Sequence, residues 1–130
     1  MNTKRIMIID DDLPLAQSLK LNLEDTGHFE ALVENHPARA VTAARTFKPD
    51  LILLDYIMPG MDGGDVSSQL RQDPSLNDVP IIMITALISN SEMGEEGSVY
   101  RNGHYMVAKP IKFDNLLHCI EASLKPTAMV

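Results

Sequence analysis

The sequence predicts an α/β fold, a doubly wound sheet of five parallel strands with helices on both faces, and three observations carry that reading. Short, nearly unbroken apolar runs recur along the chain, as in strands buried on both faces of a parallel sheet. Segments of helical period separate them, and such alternation implies right-handed crossovers. Five strands are also too few for a closed barrel of the eightfold type.

The first run is KRIMII at 4–9. Ala16, Leu19 and Leu23 then share one face of a helix over 13–25, which Gly27 ends. HFEALVE at 28–34 alternates apolar and polar residues and predicts an edge strand. From Pro37, suited to a first helical turn, Ala40, Val41, Ala44 and Phe47 stripe a second helix. DLILL at 50–54 is the third strand, and Asp62 is a candidate N-cap for a helix carrying Val66 and Leu70. VPIIMI at 79–84 and HYMVA at 104–108 complete the strands, and Leu116, Leu117, Ile120 and Leu124 mark a last helix from about residue 113. Between the last two strands, SNSEMGEEGSVYRNG has three glycines and no sustained apolar stripe, so a fourth helix within 88–103 is expected to be short, frayed or displaced.

At 130 residues, with 45% hydrophobic and 22% charged residues, the chain has the size and composition of one globular domain. We place the domain at 1–125, with a short tail at 126–130. The net charge of −7 and the absence of a Lys/Arg cluster argue against nucleic acid or anionic membrane as partners. The longest apolar stretch, VPIIMITALI, is about half of what a membrane span needs, and no signal-peptide pattern opens the chain, so a cytoplasmic location is expected. Cys119 reads as a small core residue, and the four histidines show no metal-binding spacing.

In doubly wound sheets ligands bind at the carboxyl ends of the strands. Asp10 and Asp11 leave the first strand, Asp55 the third, Thr85 the fourth and Lys109 the fifth, so all five collect at one edge. Crowded carboxylates must share protons or be neutralised by a cation, and a hard ion such as Mg²⁺, or Mn²⁺ in its place, takes oxygen ligands of this kind together with a phosphate. With Lys109 and the Thr85 hydroxyl at hand, one carboxylate could act as a nucleophile toward a phosphoryl group. Asp12, next to the helix that follows, reads as its cap or dipole partner.

IIDDD, LILLDYIMPGMDG at 51–63, ITA at 84–86 and KP at 109–110 resemble, in order and over nearly the whole chain, the receiver domain of two-component response regulators, of the single-domain, chemotaxis-regulator-like type. The resemblance implies a flavodoxin-like fold with strand order 2-1-3-4-5. It makes Asp55 the phosphoacceptor, Asp11 a direct Mg²⁺ ligand, Asp10 a ligand through water and the backbone carbonyl of Ile57 a further ligand. Lys109 would pair with Asp55 or its phosphoryl group, Thr85 would bind and report the phosphate, and Pro110 would follow a cis peptide bond.

Three departures qualify it. The family's switch aromatic falls on Met106, with Tyr105 on the opposite face of the strand, so coupling from Thr85 to an aromatic rotamer is in question. The stretch between Thr85 and Lys109 is about two residues longer than usual, which predicts an atypical output face. Ile57 and Leu87, at positions that govern water access to the acyl phosphate, are both apolar and predict slow self-dephosphorylation.

The implied function is that of a stand-alone receiver rather than an enzyme, because only PTAMV follows the last helix. It would take a phosphoryl group from a histidine kinase or histidine phosphotransfer protein and act by docking to a downstream protein or by relay, as a monomer or a phosphorylation-dependent dimer. Two alternatives compete. One is a degenerate receiver that only binds protein; the other is an aspartyl-phosphate phosphatase, whose DxDx[T/V] arrangement is absent.

Overall fold

The computed structural model describes residues 3–86, 99–101 and 104–124. β1 (Lys4–Ile9) leads into α1 (Leu13–Asp25), then β2 (Phe29–Glu34), a 3₁₀ turn at Pro37–Arg39, α2 (Ala40–Phe47), β3 (Leu51–Asp55), α3 (Gly63–Gln72) and β4 (Ile81–Thr85). β5 (Val99–Arg101), β6 (His104–Ala108) and α4 (Phe113–Leu124) follow. The sheet order is β2-β1-β3-β4-β6-β5. Its five parallel strands keep the expected 2-1-3-4-5 order, with HYMVA as the fifth of them.

The sheet nevertheless has a sixth member. β5 pairs antiparallel with β6, Tyr100 opposite Tyr105, and their rings meet edge to face at 5.0 Å between centroids. The expected fourth helix falls on 88–103, of which only 99–101 are described, and those three form this strand. Their composition explains the difference. Val-Tyr-Arg favours the extended state, and two residues before His104 is hairpin spacing.

Alternation along the central strands divides the apolar residues between two cores. Ile6, Ile8, Leu51, Leu53, Ile82 and Ile84 join the α1 and α4 side, where Cys119 is buried as expected. Met7, Ile9, Ile52, Leu54, Ile81 and Met83 join the α2 and α3 side. Each fully buried side chain of this size contributes roughly 1.5–3 kcal/mol, so the three middle strands anchor the domain.

The edge strand β2 is protected on its outer side. Lys20 Nζ donates to the Ala31 carbonyl at 2.6 Å, and Glu24 Oε2 accepts from the Ala31 N–H at 3.1 Å. These two bonds occupy the backbone groups that another strand would otherwise use. The Ala31 N–H, and then Lys20, also hold the Glu24 carboxyl below its ordinary pKa.

Both predicted caps form. Asp12 Oδ1 accepts from Leu15 N at 3.2 Å, while Asp62 and Asp65 build a reciprocal capping box. Gly63, the first residue of α3, passes so close to β3 that a Cβ there would lie 2.8 Å from Tyr56 Cα and 2.9 Å from the Asp55 carbonyl oxygen. Both neighbours are backbone and cannot swing aside. Gly63→Ala should therefore destabilise the fold by roughly 1–3 kcal/mol in chemical denaturation, the usual cost of overpacking; an unchanged midpoint would show that the Asp55 strand end yields.

Candidate functional site

Three backbone bonds extend the strand ladders at the carboxyl edge. Asp10 N donates to Glu34 O at 3.2 Å, Tyr56 N to Ile84 O at 2.9 Å and Lys109 N to Thr85 O at 2.9 Å. They hold Asp10, Asp55, Thr85 and Lys109 on backbone that is still part of the sheet. Burial follows: Asp10 is 1% exposed, Asp55 3% and Thr85 1%. Of the three carboxylates gathered here, Asp10, Asp11 and Asp55, only Asp11 is exposed.

Carboxylate oxygens of Asp10, Asp11 and Asp55 lie within 4.8 Å of one another. Lys109 Nζ sits 3.0 Å from Asp55 Oδ1. On Asp10, Oδ1 accepts from the Asp12 N–H at 2.9 Å, whereas Oδ2 is buried with no hydrogen-bond partner. Burial, only partly offset by the Asp12 N–H and reinforced by the charge of Asp55, pushes the Asp10 carboxyl up to about 6. Burial would lower the Lys109 ammonium, but its hydrogen bond to Asp55 and the charges of Asp55, Asp10 and Asp11 outweigh that and raise it.

A hard divalent cation fits this donor set. Three carboxylates supply only oxygen, and the orphaned Asp10 Oδ2 is a buried acceptor that no protein group satisfies. The Ile57 side chain is 57% exposed just beyond Asp55, and the Lys109-Pro110 peptide is cis, as the resemblance implied.

Other expected positions fare differently. Met106 is half-buried, faces Met83 across the β4–β6 ladder and touches both cores. Leu87 lies outside the described residues. His104 is half-buried with Nε2 at 3.1 Å from Ser67 Oγ, while its Nδ1 is buried without a partner; burial, then Arg71, lowers its pKa. Sequence reasoning gave Asp12 only a capping role and missed that its N–H fixes Asp10. The Asp-x-Asp spacing carries that signal, since an Asp side chain commonly accepts from the N–H two residues on.

The model of the response regulator receiver domain matches residues 6–121. The DNA-binding response regulator MtrA of Mycolicibacterium smegmatis is 37% identical over 124 residues, covering 94% of this chain and 51% of that protein. The DNA-binding dual master transcriptional regulator RpaA of Synechocystis is 33% identical over 126 residues, covering 95% of this chain and 50% of that one. The chain thus spans about half the length of these relatives. Among solved structures, the Francisella response regulator 1452 receiver domain superposes with a TM-score of 0.76 at 25% identity, over 94% of this chain and 97% of that one. The Vibrio cholerae chemotaxis protein CheY4 shares the fold with a TM-score of 0.79 at 23% identity, over 95% and 100% of the two chains. With the acidic cluster and its lysine at the edge where these motifs placed them, the chain belongs to the response regulator receiver domain family.

Proposed function

We propose that the protein accepts a phosphoryl group on Asp55 from a phosphohistidine of a histidine kinase or phosphotransfer protein and signals through the conformational change that follows. The observation carrying this reading is the asymmetric setting of Asp55, a buried carboxylate 3.0 Å from the Lys109 ammonium and within reach of two further carboxylates. An Asp55 oxygen forms the new P–O bond as the P–N bond to the donor imidazole breaks, and the departing nitrogen takes up a proton. Lys109 stabilises negative charge beside the acceptor, and Thr85, which ends the adjacent strand, binds the transferred group through its hydroxyl.

Asp10, Asp11, Asp55 and the Ile57 carbonyl are the residues that would hold Mg²⁺ or Mn²⁺. Such an ion, when bound, neutralises charge on the incoming phosphate. For output we favour docking to a downstream protein or relay to a phosphotransfer partner, because these 130 residues carry a net charge of −7 and no basic cluster. The relatives named above are DNA-binding or transcriptional regulators in their own full lengths.

Incubation with Mg²⁺ and acetyl phosphate should add one phosphoryl group by intact mass, and Asp55→Ala should abolish it. No adduct in the parent protein would support a protein-binding module without phosphotransfer, and rapid turnover of small phosphoesters would support a phosphatase.

The raised pKa of Asp10 makes a signed prediction. Its contribution to metal-free stability is present below the ordinary carboxyl value of 3.8 and lost as pH rises through about 6. Mg²⁺ competes with that proton, so its stabilisation of the fold should be larger at neutral pH than near pH 5 in thermal melts with and without chelator. Asp10→Asn should flatten the difference.

An apolar Ile57 cannot orient an attacking water, so the acyl phosphate should persist well beyond seconds, and Ile57→Asn should shorten its life. Equal decay rates in the two proteins would remove Ile57 from control of hydrolysis.

A further inference from the structure

On the side of β2 away from α1, a cleft of about 730 Å³ separates β2 from α2. Its origin is visible in the packing. Phe29, Ala31 and Val33 turn toward the α1 core, leaving Leu32 on the other face. There α2 is eight residues long and buries only the small Ala40 and Ala44. Positions 39, 42, 43, 46 and 47 have the spacing of one helical stripe, and all five line the cleft. Leu32, Ala43 and Phe47 give it an apolar wall, while Thr42 and Thr46 contribute hydroxyl-bearing side chains.

The charges at its ends differ in kind. Arg5 is engaged: Nη1 donates to the Phe47 carbonyl at 2.8 Å, Nε lies 3.6 Å from Glu30, and the guanidinium covers the Phe47 ring at 5.2 Å. Glu34 is held by the His36 N–H at 3.0 Å. Arg39 is exposed at the mouth and has no carboxylate partner among the described residues, in a chain whose net charge is −7. A cation left uncompensated beside an apolar cleft favours a ligand with an apolar body and an anionic head.

We propose that this cleft binds a small amphiphilic carboxylate, its chain against Leu32, Ala43 and Phe47 and its head on Arg39. The size agrees, since small-ligand clefts run from roughly 300 to 1,000 Å³. An eight-residue helix bounds only about 12 Å of groove, which is short for a protein interface of about 800 Å² per partner. None of Asp10, Asp11, Asp55, Thr85 or Lys109 lines the cleft, so the site is separate from the phosphorylation edge.

The test is an NMR titration of the full chain with decanoate, decanol and decyltrimethylammonium, each kept below micelle formation. Decanoate should give saturable shifts at the methyls of Leu32, Ala43 and Thr46. Arg39→Ala should weaken decanoate about tenfold, the worth of one charge-assisted hydrogen bond, and leave decanol unchanged. Thr42→Trp, at an exposed wall position, should abolish binding of both while the unfolding midpoint holds; Thr46→Trp serves if that variant does not fold. Absence of saturable shifts, equal affinity for the ammonium, or shifts centred outside the cleft would overturn the proposal. So would a ligand-free dimer that Thr42→Trp dissociates with no decanoate effect, because the cleft would then be a contact between copies.

Discussion

The ion pair between Lys109 and Asp55 is the interaction on which the carboxyl edge depends. A carboxylate buried this deeply beside Asp10 is costly to keep charged unless a cation faces it. Lys109 meets that need at 3.0 Å, and the same contact raises the ammonium's own pKa, so the pair is mutually stabilising. One ammonium cannot serve three carboxylates. The residue of this imbalance is Asp10, whose proton affinity rises and whose Oδ2 is left without a partner. The edge thus holds one carboxylate paired with a lysine, one exposed to solvent and one with a buried oxygen that no protein group satisfies.

The fold serves this arrangement by carrying the functional residues on sheet backbone. Asp55 and Thr85 end their strands, and the bonds from Asp10 N, Tyr56 N and Lys109 N continue the ladders past Ile9, Asp55 and Ala108. Precision of placement therefore comes from the rigid sheet. Gly63 adds to it by letting α3 start against the Asp55 and Tyr56 backbone, with its N–H on the Tyr56 carbonyl at 2.6 Å.

Much of this was legible in the sequence because it rests on local signals. Apolar runs located the five parallel strands, Asp12 and Asp62 announced their caps, and the strand ends put Asp10, Asp11, Asp55, Thr85 and Lys109 together. What escaped depends on pairing at a distance. Val99–Arg101 is too short to show a strand period by itself, and its extended preference becomes a strand through pairing with β6, where Tyr100 meets Tyr105. The protection of β2 by Lys20 and Glu24 needs α1 laid alongside the strand, which no spacing reveals. His104 reads as an ordinary polar residue until α3 brings Ser67 to it.

Met106 shows where the chain departs from an aromatic switch. A two-state side-chain switch requires discrete alternative packings. A tyrosine or phenylalanine supplies them, because its rigid ring either fills a cavity or leaves it. Methionine is unbranched and has three rotatable bonds, so it fills irregular space in many rotamers of similar energy. Here it lies between two cores and faces a second methionine, Met83, across the ladder. Two adaptable thioethers side by side offer no such pair of discrete packings. Thr85 is joined to the end of β6 by its ladder pairing with Ala108 and by the backbone bond from Lys109 N to Thr85 O, at 2.9 Å, which ties it to the lysine facing Asp55. Any displacement of Thr85 therefore acts through strand backbone that also carries the lysine facing Asp55.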